Sequence, residues 1–366
     1  MTSSPNIIIA PDSFKGTATA SEAAQYLAEG VLEVLPDAAI TLAPMADGGE
    51  GTSATFSGQV ITLPTTNAAG RLTEASYTYD AATETAYIDI AAASGLPAVA
   101  DNPVPTTGDT YGTGVLIADA VTRGATRIAL GLGGSATTDA GIGILVALGA
   151  VPRNKEGYGL RSGGAELINL DYIDTAELNI PAAAVEWILL TDVDAPATGP
   201  RGAAAVFGPQ KGATPEQVAL LDASLEHTCT QLKVDGSNPG MGAAGGIGIG
   251  ITWLSALMHG TTEHVHIIPG AALIARSNGI EDALSETDLL ITGEGRLDSQ
   301  SFGGKVVGTL FNLAHTNAVP LAVAAGIVEA GIPESISTYE MLKSSDVATQ
   351  LRDAGRRIAE DFKASR

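Results

Sequence analysis

The chain has 366 residues, of which 45% are apolar, 16% are charged and 4% are aromatic, and its formal net charge is −22. An exterior this negative repels nucleic acid and anionic lipid, so we expect neither as a partner. No apolar stretch reaches the length of a membrane span, no basic leader is readable, and the single cysteine, Cys229, excludes an internal disulfide. These features predict a cytoplasmic protein of two domains.

The start of the chain alternates between strand and helix patterns. Residues 6–10 predict a buried strand, residues 19–35 a helix with Ser21 as its N-cap, and residues 39–42 a second strand. A further helix is expected to begin at residues 52–56. This alternation is typical of a parallel sheet, whose ligands bind beyond the carboxyl ends of the strands.

The middle of the chain has a different pattern. Residues 60–66, 75–80 and 84–91 alternate in polarity and predict antiparallel strands, after which a strand, a helix and a strand are expected at 127–131, 140–148 and 186–190. Near the end, strands at 287–292 and 319–324 flank a predicted helix from about 305 to 314. The sequence therefore predicts an α/β fold in which a doubly wound parallel-sheet domain, 1–65 plus 285–366, is interrupted by a second α/β domain, 66–284.

Five segments share one form, an apolar strand followed by a turn rich in Gly, Asp, Ser or Thr. They are IIIAPDSFKG (7–16), APMADGGEGT (43–52), ALGLGGSATTDAG (129–141), LLTDVDAPATGPRG (189–202) and LLITGEGRLDSQSFGGK (289–305). Backbone amides in such turns bind anionic oxygens, carboxylates can hold Mg2+, and Lys or Arg balances phosphate charge. Together they indicate a phosphate site with a metal, although Thr52, Thr137 and Asp139 also suit helix caps.

A nicotinamide-dependent oxidoreductase is the alternative. Residues 131–136, GLGGSA, match the dinucleotide pattern G-x-G-x-x-[GA], but residues 151–159 form a polar loop where the ribose-binding acid is expected. A Walker A loop is absent, because Val306 follows Gly303-Gly304-Lys305.

Three histidines, His259, His264 and His266, form an incomplete metal-ligand set, so we expect them at the surface or at a rim. Cys229 has no evident activating base and is expected to be inert.

Six segments in order resemble the bacterial glycerate kinase family: IAPDSFKG, ADGGEGT, GLGGSATTDAG, TDVDAPATGPRGAAAVFGPQKGAT, GMGAAGGIG and ITGEGRLDSQSFGGK. The resemblance extends from about residue 7 to residue 325. It implies a Rossmann-like domain interrupted by a second α/β domain, with a cleft between them. It also implies transfer of the γ-phosphoryl group of ATP to D-glycerate, giving 2-phosphoglycerate, with Mg2+ as a cofactor. A homodimer is a further expectation.

The resemblance and the chemistry of the side chains together suggest roles for the charged residues. Arg296 would bind the carboxylate of glycerate, and Asp298 would be either the base for the attacking hydroxyl or a metal ligand. An ion pair of Arg296 with Glu294 or Asp298 is the purely structural alternative. The expected catalytic residues are Lys15, Asp192, Arg296 and Asp298, with Asp192 and Asp194 as metal ligands. The expected substrate- and phosphate-binding residues are Asp12, Ser13, Asp47, Glu50, Gly133, Gly134, Ser135, Lys211, Gly293, Glu294 and Lys305.

Overall fold

The structure is a computed structural model that describes residues 4–14, 16–49, 51–333, 335–341 and 346–366. The strands within these residues are β1 (Asn6–Ile9), β2 (Ala39–Leu42), β3 (Gln59–Thr66), β4 (Leu72–Asp80), β5 (Thr85–Asp89), β6 (Arg127–Gly131), β7 (Val151–Arg153), β8 (Tyr172–Asp174), β9 (Glu186–Leu190), β10 (Val265–Ile268), β11 (Leu289–Leu297), β12 (Leu321–Val328) and β13 (Ser337–Glu340).

The α-helices of the same part of the chain are α1 (Ala20–Val34), α2 (Ile90–Ser94), α3 (Tyr111–Thr122), α4 (Ile142–Ala147), α5 (Ile180–Ala183), α6 (Ala203–Phe207), α7 (Pro215–Leu232), α8 (Ile247–His259), α9 (Gly270–Ser277), α10 (Ile280–Ala283), α11 (Val306–Thr316) and α12 (Val347–Ala364). Among the described residues, no helix combines the length and the apolar composition that a bilayer span requires.

The first compact unit comprises Met1–Asp47 and Pro269–Arg366. Its described strands form a sheet in the order β13-β12-β11-β1-β2, and every neighbouring pair is parallel. Counted along this unit alone the order is 2-1-3-4-5, which is a doubly wound arrangement with its switch point between β1 and β11. The prediction of a doubly wound parallel sheet made from both chain ends is confirmed.

Two helices pack closely in this unit because glycines lie at their contact. A Cβ atom on Gly30 of α1 would lie 2.0 Å from the carbonyl oxygen of Arg352, and one on Gly355 of α12 would lie 2.3 Å from that of Leu27. The helix α1 begins one residue after Thr19, whose hydroxyl accepts a hydrogen bond from the backbone N–H of Glu22 in a capping box. The prediction of Ser21 as the N-cap was therefore wrong.

The second compact unit is Gly48–Ile268. Its larger sheet has the order β10-β9-β6-β5-β4-β3, in which β3, β4 and β5 pair antiparallel and β5, β6, β9 and β10 pair parallel. The three predicted antiparallel strands are thus confirmed. The helix expected at 52–56 is wrong, since only a 3-10 turn, Ser53–Thr55, forms before β3.

The limits of the two units differ from the predicted domain boundaries, which fell at 65/66 and 284/285. The structure divides the chain after residues 47 and 268. The segment from Gly48 onward bonds to the second unit: the carbonyl oxygen of Gly48 accepts from the N–H of Gly133, and Asp89 accepts from the N–H of Gly51. These bonds assign the loop before β3 to the second unit.

Candidate active site

The switch point of the first unit brings two of the predicted site segments together. The backbone N–H of Asp12 donates to the carbonyl oxygen of Gly293 at 2.8 Å, and the buried hydroxyl of Thr292 donates to the carbonyl oxygen of Ala10 at 2.8 Å. Ser13 follows, with its N–H bonded to the Asp12 carboxylate at 2.6 Å. The loop after β1 is therefore bonded to the middle of β11, where that strand passes the carboxyl end of β1. Lys15 lies outside the described residues.

The segment that ends in Asp47 joins the same edge. The backbone N–H of Met45 donates to the carbonyl oxygen of Pro11 at 2.9 Å, so the loop after β2 runs beside the loop after β1. Asp47 is half-buried and carries interactions of its own. Its charge raises the pKa of Glu294, which indicates that the two carboxyl groups act on each other within this unit.

The strand β11 continues past the buried sheet and carries the charged residues of the GEGRLD segment. Its pairing with β12 extends as far as Leu297, opposite Val328. Side chains alternate along a strand, so Glu294 and Arg296 point to the same face. Gly293 is confined by its neighbour, because a Cβ atom there would lie 2.6 Å from the carbonyl oxygen of Ala324.

Glu294 is a partly buried carboxyl group with an unusual environment. Its Oε1 atom is buried and has no hydrogen-bond partner among the described residues. Burial raises its pKa, and the nearby charges of Asp298 and Asp47 raise it further, while the Ser301 hydroxyl and the Lys305 ammonium oppose the rise. An unpartnered buried oxygen and a raised pKa are typical of functional carboxyl groups.

Arg296 is exposed, and its Nη1 atom donates to Oε1 of Glu329 at 2.9 Å. The internal ion pair considered from the sequence, with Glu294 or Asp298, is therefore wrong. Asp298 caps a 3-10 turn, Ser299–Phe302, because its Oδ1 atom accepts from the N–H groups of Gln300 and Ser301. No hydrogen bond to Asp298 Oδ2 occurs within the described residues.

Lys305 is the N-cap residue of α11, but its side chain makes no capping bond. Its ammonium group acts on Glu294 as noted above. Asp298 and Lys305 thus act on the carboxyl group of Glu294, and Arg296 lies two residues after Glu294 on β11, where it pairs with Glu329. These four residues are the charged group of the β11 segment.

The second unit has a pair of glycine loops that pack backbone against backbone. The N–H of Gly133 donates to the carbonyl oxygen of Gly48 at 2.9 Å. A Cβ atom on Gly133 would lie 2.4 Å from the Cα atom of Gly49, so only glycine fits there. Glu50 lies outside the described residues.

Beyond Gly133 the loop is fixed by further bonds. The carbonyl oxygen of Gly134 accepts from the N–H of Leu96 at 2.9 Å, and the buried Ser135 hydroxyl lies 3.0 Å from that of Thr137. The predicted phosphate-binding loop is thus a rigid, bonded turn.

Asp89 is a functional candidate that the sequence reading missed. It is buried at the end of β5, and its carboxylate accepts from the N–H groups of Gly51 and Ser53 and from the Ser53 hydroxyl, at 2.9–3.0 Å. Its Oδ1 atom would also lie 3.0 Å from a Cβ atom on Gly131. Asp89 therefore holds the GGEGT loop beside the GLGGSAT loop. Its position in the sequence could have revealed it, because an acid at the end of a predicted strand is also a feature of the five segments.

Lys211, predicted to bind phosphate, is buried in the second unit. Its Nζ atom donates to the carbonyl oxygen of Thr137 at 2.5 Å, and burial lowers its pKa to about 8. Asp139, also buried, accepts from the N–H and hydroxyl of Thr110 and from the N–H of Gly143, and burial raises its pKa. We propose that Lys211 and Asp139 hold the GGSATTDAG loop in place and do not contact phosphate themselves.

The loop after β9 carries the two expected metal ligands. Asp192 is half-buried with interactions of its own, and Asp194 is exposed. No group of three or more His, Cys, Asp or Glu side chains within the described ranges could hold a metal ion. Mg2+ usually takes one or two carboxylates and completes its coordination with water and substrate phosphate, so the expectation that Asp192 and Asp194 bind Mg2+ does not need a third protein ligand.

Two of the three histidines contact each other, and the third contacts an acid. The rings of His259 and His264 are 4.0 Å apart, and His266 Nε2 lies 3.1 Å from Oε1 of Glu186. His264 and His266 are exposed, as the predicted surface role requires.

The structure does not match a dinucleotide-binding loop at residues 131–136. In that motif the helix opens within the glycine pattern, whereas α4 begins only at Ile142, after a cap at Gly141. The next strand, β7, is a three-residue strand paired antiparallel with β8. The geometry therefore gives no support to the oxidoreductase alternative.

The protein is thus an α/β protein with charged residues at the switch point of its first unit and glycine-rich turns in its second unit. Comparison with known proteins gives the family. The Glycerate kinase family profile matches residues 7–364. A glycerate kinase of Halalkalibacterium halodurans is 36% identical, covering 96% of this chain and 97% of the relative. The chain belongs to the glycerate kinase family.

Two further proteins are similar to this chain over most of its length. A glycerate 2-kinase of Escherichia coli strain K12 is 39% identical, covering 87% of this chain and 84% of the relative. A crystal structure of a protein assigned as glycerate kinase 2 from Salmonella typhimurium LT2 matches with a TM-score of 0.82 and 34% identity, and the match covers 99% of both chains.

Proposed function

We propose that the protein transfers the γ-phosphoryl group of ATP to O2 of D-glycerate, giving 2-phosphoglycerate and ADP. The observation that carries the proposal is the charged group at the β1–β11 switch point, within a chain of the glycerate kinase family. The Escherichia coli relative, a glycerate 2-kinase, supports attachment at O2. In the reaction an oxygen–phosphorus bond forms at the acceptor hydroxyl, and the bond from the γ-phosphorus to the β–γ bridging oxygen breaks.

In this proposal the first unit binds the acceptor. Arg296 has a planar guanidinium that pairs with a carboxylate through two parallel bonds, and it lies on the open part of β11. Asp298 keeps Oδ2 available and is the candidate to accept the hydroxyl proton. Lys305 and Lys15 supply positive charge for the transferred group.

Backbone donors of the GLGGSAT loop are the proposed partners of the nucleotide phosphates. Gly134 and Ser135 stand in a bonded turn whose amides can bind anionic oxygens, whereas the N–H of Gly133 is already bonded to the carbonyl oxygen of Gly48 and shapes the turn instead. Because this turn is held in place before substrate arrives, its donors need no rearrangement during transfer. Mg2+, held by Asp192 and Asp194 together with the phosphates, would neutralise the negative charge that the phosphates carry.

The test is ADP release by the purified protein with MgATP and a panel of acceptors. We expect turnover with D-glycerate and at least about tenfold less with L-glycerate and glycerol at equal concentration, since a carboxylate and a correctly placed hydroxyl are both required. Equal turnover with glycerol would contradict a carboxylate-binding Arg296. Absence of ADP with every acceptor would contradict the proposed reaction.

Two further expectations from the sequence, a cytoplasmic location and a homodimer, stay predictions. Cell fractionation and light scattering of the purified protein would check them.

A further inference from the structure

Glu329 lies beside Arg296 because of the register between β11 and β12. Arg296 is paired with Ile327, and Glu329 follows two residues later, one residue beyond the end of β12. Its backbone is fixed there, since the N–H of Glu329 donates to the carbonyl oxygen of Leu297 at 2.9 Å. Alternation along the strand places residues 327 and 329 on one face, the face of Arg296. The two charged side chains are therefore diagonal neighbours on adjacent strands, within reach of each other.

The carboxylate of Glu329 is the partner of the Arg296 guanidinium among the described residues. The contact is a single hydrogen bond of 2.9 Å from Nη1 to Oε1. Other acids of the segment are engaged elsewhere, because Asp298 caps a turn and Glu294 is partly buried. The side chains of Arg296 and Glu329 are 60% and 46% exposed, so either can turn away without leaving a buried charge.

We propose that Glu329 sets the affinity for the acceptor, because its carboxylate occupies Arg296 in place of the substrate carboxylate until an acceptor displaces it. The inference rests on the proposed function, in which Arg296 binds the carboxylate of glycerate. The displacement is favourable because a free carboxylate can take both donors of the guanidinium fork, whereas Glu329 takes one. An acceptor without a carboxylate gains nothing from Arg296 and leaves the ion pair intact.

The size of the effect follows from the strength of an exposed ion pair. For two exposed side chains of one chain, the ratio of the paired to the unpaired form is on the order of 1 to 5. If only the unpaired form of Arg296 binds substrate, the KM for glycerate is raised by a factor of one plus that ratio, or about two- to sixfold. Screening weakens the pair, so the effect should shrink as the ionic strength increases.

The experiment compares steady-state kinetics of the full-length wild-type protein and a Glu329→Gln variant. We expect the KM for D-glycerate to be about two- to sixfold lower in the variant than in the wild type, with kcat and the KM for ATP unchanged. At about 0.5 M salt the KM values of the two proteins for D-glycerate should become nearly equal. Glu281→Gln is the matched control, because it removes another exposed ion pair of the same unit, with Arg276 at 3.5 Å. It should leave all three constants unchanged.

Three outcomes would overturn the inference. An unchanged or raised KM for glycerate would show that Glu329 does not compete, and a raised KM would indicate that it orients Arg296. Parallel changes in every constant, or the same change in Glu281→Gln, would point to a general effect of charge or stability. A wild-type protein that phosphorylates no carboxylate acceptor would instead overturn the proposed function and the inference with it.

Discussion

The buried amino group of Lys211 should make stability depend on alkaline pH, and a Lys211→Met variant should lose this dependence. Lys211 is 4% exposed, and burial lowers its pKa from 10.5 to about 8, although attraction to Asp139 opposes the fall. A base whose pKa is lower in the folded state binds fewer protons when folded. Stability therefore rises with pH between the folded-state pKa and the unfolded-state pKa. Below this range the charged ammonium costs about 3 kcal/mol, at ~1.4 kcal/mol for each pKa unit.

Between about pH 7 and pH 10, the wild-type protein should therefore gain about 2–3 kcal/mol of unfolding free energy relative to Lys211→Met. Urea unfolding followed by tryptophan fluorescence measures this difference, and both tryptophans, Trp187 and Trp253, lie in the second unit with Lys211. The contributions of groups that titrate in both proteins cancel in the difference between their unfolding free energies. Lys155→Met, which removes an exposed lysine of the same unit, should show no such trend. A difference between wild type and Lys211→Met that stays constant over this pH range would refute the burial argument.

Other changes test the site more directly. Asp89→Ala should lower the unfolding free energy by about 1–3 kcal/mol, measured by urea unfolding, because it leaves the loop donors of Gly51 and Ser53 without an acceptor. Gly133→Ala should lower both stability and kcat/KM for ATP, because its Cβ atom would meet the Gly49 backbone. Gly159→Ala, whose Cβ atom would meet only the Val151 side chain at 3.6 Å, should keep the kinetic constants of the wild type. Arg296→Ala should reduce kcat/KM for glycerate on the order of 100-fold, the loss of two charge-assisted bonds worth about 3 kcal/mol, while thermal unfolding changes little because the ion pair is exposed. Near-normal turnover in that variant would remove Arg296 from the site.

Local pattern was sufficient to predict the parallel strands. The expected strands at 39–42, 127–131 and 186–190 coincide with β2, β6 and β9, because buried strands are short apolar runs bounded by turn residues. The same reading failed at residues 52–56. There the chain has helix-compatible residues, but Asp89, a distant residue at the end of β5, holds Gly51 and Ser53 in a turn. Tertiary contacts, and not local helix propensity, determine the conformation of residues 52–56.

The charged residues of the candidate site were also predictable from the sequence only in part. Motif and charge brought Glu294, Arg296, Asp298 and Lys305 to notice, and the structure places all four at the end of β11 or just beyond it. Sequence could not reveal the partner of Arg296, since Glu329 is 33 residues away and meets it only through the register with β12. The burial of Lys211 was equally unreadable, because a lysine after a glycine-rich segment looks the same whether it faces solvent or a carbonyl oxygen.

The most direct test of the account is phosphorus NMR of the purified protein with MgATP and D-glycerate. A new phosphomonoester signal should grow as ADP forms. Coupling of that signal to a single proton would identify attachment at C2, whereas coupling to two protons would identify C3. A doublet with stoichiometric ADP supports the proposed 2-phosphoglycerate. A triplet would contradict attachment at O2, and the absence of any monoester would contradict the phosphorylation of glycerate itself.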